Sequence, residues 1–288
     1  MSFLERVTAC QQWDPADYRP FVVAGQAVGR IDEGFASLLA DHAPTFAVSD
    51  RAVELDPALG DFESRSAAVA AVLEKLREAG EVPGWRDEPY PVVRTWGDPP
   101  LLQVERASVP RFGVRGFGVH LNGIVEGSGS ESPEDLEMWV GRRALTKPTG
   151  PGKLDHIAAG GQPHGIGIQE NMIKECEEEA AIPRALAERL QPVGIVSYRC
   201  ARAEGLRDDV LFCFDLALPS DFEPRNTDGE VDAFYRWPIT EVMRVIRETE
   251  DFKFNCALVV IDFLVRRGIM QPDDPEYSAI LQGLRLST

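Results

Sequence analysis

Two textures of hydrophobic patterning run along this chain. One spaces apolar residues three and four positions apart; the other gathers β-branched and aromatic residues in runs too short for a helix. Over the first hundred residues the helical texture predicts helices at 3–13, 34–41 and 64–79. The third is the clearest: Val69, Val72, Leu73 and Leu76 share a face, Glu63 and Glu74 lie toward solvent, and Gly80 supplies a stop. Segments 46–49 and 91–96 read as strands beside these helices.

Near Val109 the texture changes, with Gly113, Gly116, Gly118 and Gly123 punctuating an apolar strand at 117–125. A Gly/Ser/Pro turn at 128–135 and a strand at 137–142 complete an expected hairpin. A Pro/Gly loop at 147–153, a short strand at 154–158 and the Gly160-Gly161 pair lead into a helix at 169–180, whose apolar stripe is Met172, Ile173, Cys176 and Ala180. Strands follow at 192–198, 209–218 and 231–237, then an amphipathic helix at 239–247, a buried one at 255–267 and a weaker one at 274–284. This order predicts an α/β (α+β) fold. A mixed sheet between helices occupies 109–250, a small mixed α+β N-terminal domain 1–108, and a C-terminal helical extension packed on the sheet domain 251–288.

Charge narrows the partners. Lys and Arg total 30 against 47 Asp and Glu, a formal net charge of −17, which repels nucleic acid polymers and anionic membranes. A phosphate-bearing ligand therefore needs a metal ion or a local basic cluster. The five cysteines, Cys10, Cys176, Cys200, Cys213 and Cys256, form no zinc-type spacing with the four histidines and fit a reducing compartment. Glu5, Trp13, Asp14 and Asp17 interrupt the N-terminal stretch, and Asp262 the longest apolar run, so a cytoplasmic, unanchored protein is expected.

The chemistry gathers between Gly160 and Ile182, where a glycine-rich turn opens into an acidic helix. At about 100° per residue, Glu175, Glu178 and Glu179 fall in one sector of that helix, so their carboxylates are expected to converge. Like charges so spaced destabilise a bare helix, and a divalent cation removes the conflict. Hard oxygen donors suit Mg2+, with Mn2+ as the alternative. Residues without Cβ at 160 and 161 let backbone approach the metal and phosphates, and the Gly160 carbonyl is a candidate further ligand.

This segment resembles the Nudix box: a glycine, five residues, Glu, seven residues, then Arg-Glu-apolar-x-Glu-Glu-x-Gly-apolar. Glu175, Glu178 and Glu179 match its metal-binding glutamates, and Cys176 and Ile182 its apolar positions. Lys174 stands for Arg, Ala181 for Gly and Ile166 for the first Glu, with Glu170 nearby but displaced. The flanks, Trp139 to Arg143, Lys147-Pro148, Pro151-Gly152, Leu154-Asp155 and Ala159 to Gly161, are similar to the Nudix branch that includes isopentenyl diphosphate isomerases. Gly194 to Tyr198, Gly205 to Arg207, Asp215 to Pro219, Asp228 to Val231 and Asn255 to Leu258 resemble the Nudix domain, with its preceding N-terminal domain, fused to fungal thiamine pyrophosphokinase. The resemblance implies metal-dependent hydrolysis of a diphosphate linkage in a small molecule, a damaged thiamine diphosphate analogue being the substrate class. A diphosphate-binding protein without turnover, motivated by Ile166 and Ala181, and an isoprenoid diphosphate isomerase remain as alternatives.

Around this segment, Arg142, Arg143, Lys147 and Lys153 gather positive charge suited to a diphosphate's oxygens, although strand alternation sends Arg142 and Arg143 to opposite faces. Arg207, with Glu204, lies in a loop between strands and is a further substrate-binding candidate. Glu230, after Asp228-Gly229, is the candidate distal metal ligand, as in several Nudix proteins. His156 and His164 flank the glycine pair, and Trp139 and Tyr198 offer rings for stacking or for the core. The expected partner is a small-molecule diphosphate, with a homodimer left open.

Overall fold

The computed structural model describes residues 2–125 and 135–286, so most of the expected turn at 128–135 lies outside the described residues. Helix α1 (Phe3–Ala9) opens the chain, with Ser2 and Glu5 forming a capping box. It stops short of Trp13 because Asp14 and Pro15 start a separate 3-10 turn. Strands β1 (Tyr18–Val23) and β2 (Gln26–Asp32) pair across a turn in which Ala24 and Gly25 both have positive φ, 48° and 75°. Helix α2 (Glu33–Ala40), β3 (Phe46–Val48), β4 (Val53–Leu55) and α3 (Phe62–Glu78) follow. The first four strands make one sheet, ordered β2-β1-β4-β3. Helix α3 starts where Asp61 accepts from the Ser64 amide, and Gly80, at φ 81°, ends it as expected.

A small ribbon, β5 (Pro89–Val92) with β6 (Leu102–Glu105), and the short helix α4 (Val109–Phe112) complete this unit around Phe21, Phe35, Phe46, Leu73, Val92 and Phe112.

The larger sheet begins at β7 (Arg115–Val125), then β8 (Glu137–Arg143), β9 (Leu154–His156) and β10 (Ala158–Gly161). Helices α5 (Ile168–Ala180) and α6 (Arg184–Ala187) precede β11 (Gln191–Arg202), β12 (Gly205–Ala217) and β13 (Val231–Pro238). Helices α7 (Ile239–Glu248), α8 (Phe254–Arg266) and α9 (Tyr277–Gly283) close the chain. The strand order is β11-β12-β7-β8-β13, with β10 on β7 and β9 on β8. Among the described residues of this sheet only the β12–β7 pair is parallel, so the sheet is mixed.

Strand alternation gives the sheet two apolar faces. Val119, Leu121, Ile157 and Phe214 pack under Met172, Ile173 and Cys176 of α5. On the other face Ile124, Val140, Leu154 and Leu211 pack under α7 and α8. The fold class is the expected one: a mixed sheet between helices, joined to a mixed α+β unit. Helix α1 adds a finding, since Phe3, Val7 and Cys10 share the α8 core and not that of the unit that follows them in sequence. Among the described residues no helix is long and apolar enough to cross a membrane.

Candidate metal and diphosphate site

The site forms where β10 runs into α5. Glycine is required at 160: a methyl there would sit 2.7 Å from Cγ of Glu175 and nearer still to its carboxyl, so this side chain lies directly across the glycine Cα. Burial raises the Glu175 carboxyl above its ordinary range, against the opposing pull of Lys174. One turn on, Glu179 is 5% exposed and accepts the Ala159 amide at 2.8 Å. Burial, followed by the charge of Glu175, pushes its carboxyl up to about 8. Glu178 is half-exposed and bonds Lys174 at 2.6 Å.

The three box glutamates therefore do not meet at one point here. Lys174 draws Glu178 outward and lies 3.6 Å from Glu175, while Glu179 turns inward to a different pair of acids. Oxygens of Glu179, Asp228 and Glu230 lie within 4.8 Å of one another. Glu230 thus stands where the distal acid was expected, and Asp228 joins it. An all-carboxylate set beside a glycine that leaves room for Glu175 fits a hard divalent cation. The carbonyl of Gly160 remains a candidate ligand only by its place in the turn.

The helix end keeps its turn despite the missing glycine. Ala181 adopts φ 52°, and the Ile182 amide donates to the Cys176 carbonyl at 3.0 Å, as a glycine-ended helix would. At the other end, Ile166 replaces a carboxylate with an apolar side chain, and the loop is held by neutral amides. Gln162 donates to the Ile166 carbonyl at 2.7 Å, and Asn171 to the Gly161 carbonyl at 2.8 Å. Glu170 is turned away and pairs with Arg184 at 2.8 Å.

Of the cations expected to serve phosphate, Lys147 alone reaches these acids, through an ion pair with Glu230. Burial, then the repulsion of Arg143, lowers its ammonium to about 8. Arg142 is exposed. Arg143 is buried and engaged with Asp155 at 2.7 Å and with the Thr149 and Gly150 carbonyls. Lys153 donates to the Glu250 carbonyl at 2.6 Å. Arg207 pairs with Glu204 and Asp209 in the β11–β12 hairpin. His164 bonds Gln103 at 3.1 Å, and His156 is buried beneath the sheet. Tyr198 is a core residue bonded to Asp209, and Trp139 is buried in the α5 layer.

Three residues of the first unit reach the site, and sequence reading did not flag them. Arg86 lies 3.7 Å from Glu230. Tyr90 stands over Gly161, where a side chain would overlap its hydroxyl, and Arg106 lies 3.4 Å from the same point. The Tyr90 hydroxyl is buried with no hydrogen-bond partner among the described residues, and burial raises it above the usual phenol range. Arg106 pairs with Glu88 at 2.9 Å and lies over the Tyr90 ring, 5.8 Å from its centroid. These contacts join segments far apart in sequence, which no local pattern signals.

A carboxylate cluster and cations around a tight glycine turn bring together the donor types that a divalent ion and phosphate oxygens call for. Comparison with known proteins makes this particular. The chain is 44% identical over 287 residues to the chloroplastic Nudix hydrolase 24 of Arabidopsis thaliana, covering 98% of this chain and 77% of that protein. To the chloroplastic Nudix hydrolase 20 of the same plant it is 42% identical over 294 residues, with the same coverage of each. It belongs to the Nudix hydrolase family, whose members cleave diphosphate linkages with a divalent metal ion. A family model described as a domain of unknown function (DUF4743) matches residues 2–116. The NUDIX domain of Shewanella oneidensis NrtR, in a complex with ADP ribose, aligns with 54% of this chain and 90% of its own at 13% identity and a TM-score of 0.42.

The plant names correct one expectation. Both relatives are chloroplastic, so the cytoplasmic assignment does not stand. Unpaired cysteines and acidic charge fit a reducing compartment without telling one from another.

Proposed function

We propose that this protein is a Mg2+-dependent hydrolase, with Mn2+ able to substitute, that cleaves the diphosphate of a small organic molecule to a monophosphate. Glu175, Glu178, Glu179 and Glu230, joined by Asp228, hold the metal, with the Gly160 carbonyl beside them. The observation that carries this reading is the gathering of Glu179, Asp228 and Glu230 within 4.8 Å beside the glycine turn of a Nudix family member. When bound, the ion neutralises phosphate oxygens and acidifies a water.

The chain's own groups supply the rest. Lys147, Arg86 and Arg106 ring the acids and meet the outer phosphate oxygens. The unpartnered Tyr90 hydroxyl supplies one further hydrogen bond from the first unit. Glu179, protonated near neutrality while the site is free of metal, releases that proton as the site fills. The first unit thus forms one wall of the site, and residues 2–116 owe their presence to that role. The resemblance to the domain fused to thiamine pyrophosphokinase favours a thiamine diphosphate analogue as substrate.

A panel of diphosphates, including thiamine and oxidised thiamine diphosphates, tests the reading with wild type and Glu178→Gln. We expect wild type to release a monophosphate and the variant, still folded, to lose most turnover. Undiminished turnover in the variant would remove Glu178 from the ligand set. A diphosphate that raises the wild-type melting temperature without being cleaved would instead identify a binding protein.

A further inference from the structure

A second group of metal-type donors lies on the opposite face of the sheet. His120 sits between Val119 and Leu121 on β7, and since those two pack against α5, alternation turns the imidazole toward α8. There it meets His156 of β9 and Cys256 of α8, with Asp155 beside them. The four residues are between 0% and 5% exposed, and one donor atom from each lies within 4.8 Å of all the others. Three segments far apart in sequence contribute, so no spacing pattern announces the group.

We infer that His120, Asp155, His156 and Cys256 form a zinc site that clamps β7 and β9 to α8. The Nδ1 atoms of the two histidines face each other at 3.1 Å, and Nδ1 of His156 lies 3.6 Å from Oδ1 of Asp155. Two nitrogens bound tetrahedrally to one zinc stand roughly 3.3 Å apart. The Cys256 Sγ is 2.7 Å from the same Asp155 oxygen; that pair opens by somewhat under 1 Å to take tetrahedral positions. Two imidazoles, a thiolate and a carboxylate are the mixed N, S and O set that suits Zn2+ and differs in kind from the all-oxygen group near α5.

The surroundings orient these donors. Arg143 holds Oδ2 of Asp155 at 2.7 Å and Lys253 lies 3.9 Å from it, leaving Oδ1 turned to the cluster. Among the described residues the buried Nε2 of His156 has no partner, so this ring is positioned at Nδ1, which faces His120 at 3.1 Å. On binding, Cys256 Sγ exchanges its proton, released to solvent, for a bond to the ion. Thiolate and carboxylate set two negative charges against the two positive charges of the ion, with Arg143 and Lys253 adding positive charge on the far side of Asp155. Because the group is closed off, the ion is acquired as the chain folds.

Full-length protein expressed in zinc-supplemented medium, so that the ion is present while the chain folds, and then purified through gel filtration without chelator tests this. About one zinc per chain should remain in wild type and in Glu178→Gln, and should be lost in Cys256→Ser. Cobalt(II) supplied in place of zinc should give the near-ultraviolet thiolate-to-cobalt band and the visible spectrum of a tetrahedral site. Folded wild type that retains no zinc, or cobalt bound without a thiolate band, overturns the inference. Neither readout depends on diphosphate hydrolysis, so this assignment and the Nudix one fail separately.

Discussion

Replacing Gly160 with alanine adds one methyl to the strand end that faces Glu175. Measured from the ideal Cβ position, Cγ of Glu175 lies at 2.7 Å and Cδ and Oε1 are nearer. Ordinary carbon contacts are about 3.5–4.0 Å, so the side chain must retreat by roughly 1 Å. Rotation of the carboxyl alone gives no relief, because Cγ is inside the contact as well. Misplacing a reacting group by about 1 Å costs on the order of 100-fold in rate, equivalent to about 2.7 kcal/mol of barrier. Crowding of this kind also lowers stability by about 1–3 kcal/mol. The assay is Mn2+ titration by calorimetry, followed by kcat on a cleaved diphosphate, with Tm measured alongside. Gly167→Ser is the matched control, since nothing lies within 4 Å of that glycine and its φ is −72°. We expect Gly160→Ala to fold, bind Mn2+ at least tenfold more weakly and lose about 100-fold in kcat, with the control unaffected. A folded Gly160→Ala protein with wild-type metal affinity and kcat would refute the placement of Glu175 in the site.

Three particular groups carry further predictions. Ala181→Gly relieves a left-handed alanine at φ 52° and should raise stability by about 1 kcal/mol, or roughly 2 °C in Tm; an unchanged or lower Tm would show that the alanine is unstrained. Metal affinity should rise with pH, approaching tenfold per unit between the ordinary carboxyl value of 4.5 and about 8, because Glu179 must give up a proton to bind, and should level off above that. The same raised value means that the metal-free fold holds a proton the unfolded chain has lost in that window, so its stability should fall as pH rises through it, checked by denaturant titration at several pH values. Tyr90→Phe removes a hydroxyl with no protein partner, so Tm should hold while KM rises about tenfold, the equivalent of one lost hydrogen bond; an unchanged KM would exclude substrate contact.

What the sequence makes legible is what local periodicity controls. Helix α3 is found because four apolar residues share a face and Gly80 ends it, and α5 and α8 for similar reasons. The β1–β2 hairpin escapes, because its turn places an alanine at positive φ where an Asn-Gly or Gly-Gly pair would have signalled it. In the site, the glutamates and Glu230 are legible from a motif and from an acid after a turn. Their grouping is not, since Lys174 pulls Glu178 one way while burial takes Glu179 the other. Arg143 was expected to serve phosphate, but it is buried in an ion pair with Asp155, whose carboxyl is held well below its ordinary range, against burial, by Lys253, His156 and Arg143. Tyr90, Arg86 and Arg106 belong to a unit whose own patterning concerns its own core, so their reach to the acids is visible only in three dimensions.

Charge connects these particulars. The protein as a whole repels anions, and each cation near the turn is tied to a carboxylate: Lys147 and Arg86 to Glu230, Lys174 to Glu178, Arg106 to Glu88. The proposed ligand set changes that. As Glu178 and Glu230 turn to a divalent ion, Lys174, Lys147 and Arg86 lose partners they hold through salt bridges of only partial burial. Under the proposed function, Lys147 and Arg86 then lie beside the ion's ligands, and a diphosphate is the kind of ligand able to answer both. The proposed function thereby links metal and substrate affinity through shared side chains, Arg86 of the first unit among them. A protein with a charge of −17 can on this account remain indifferent to polyanions at large and still take up one small diphosphate once its metal is in place.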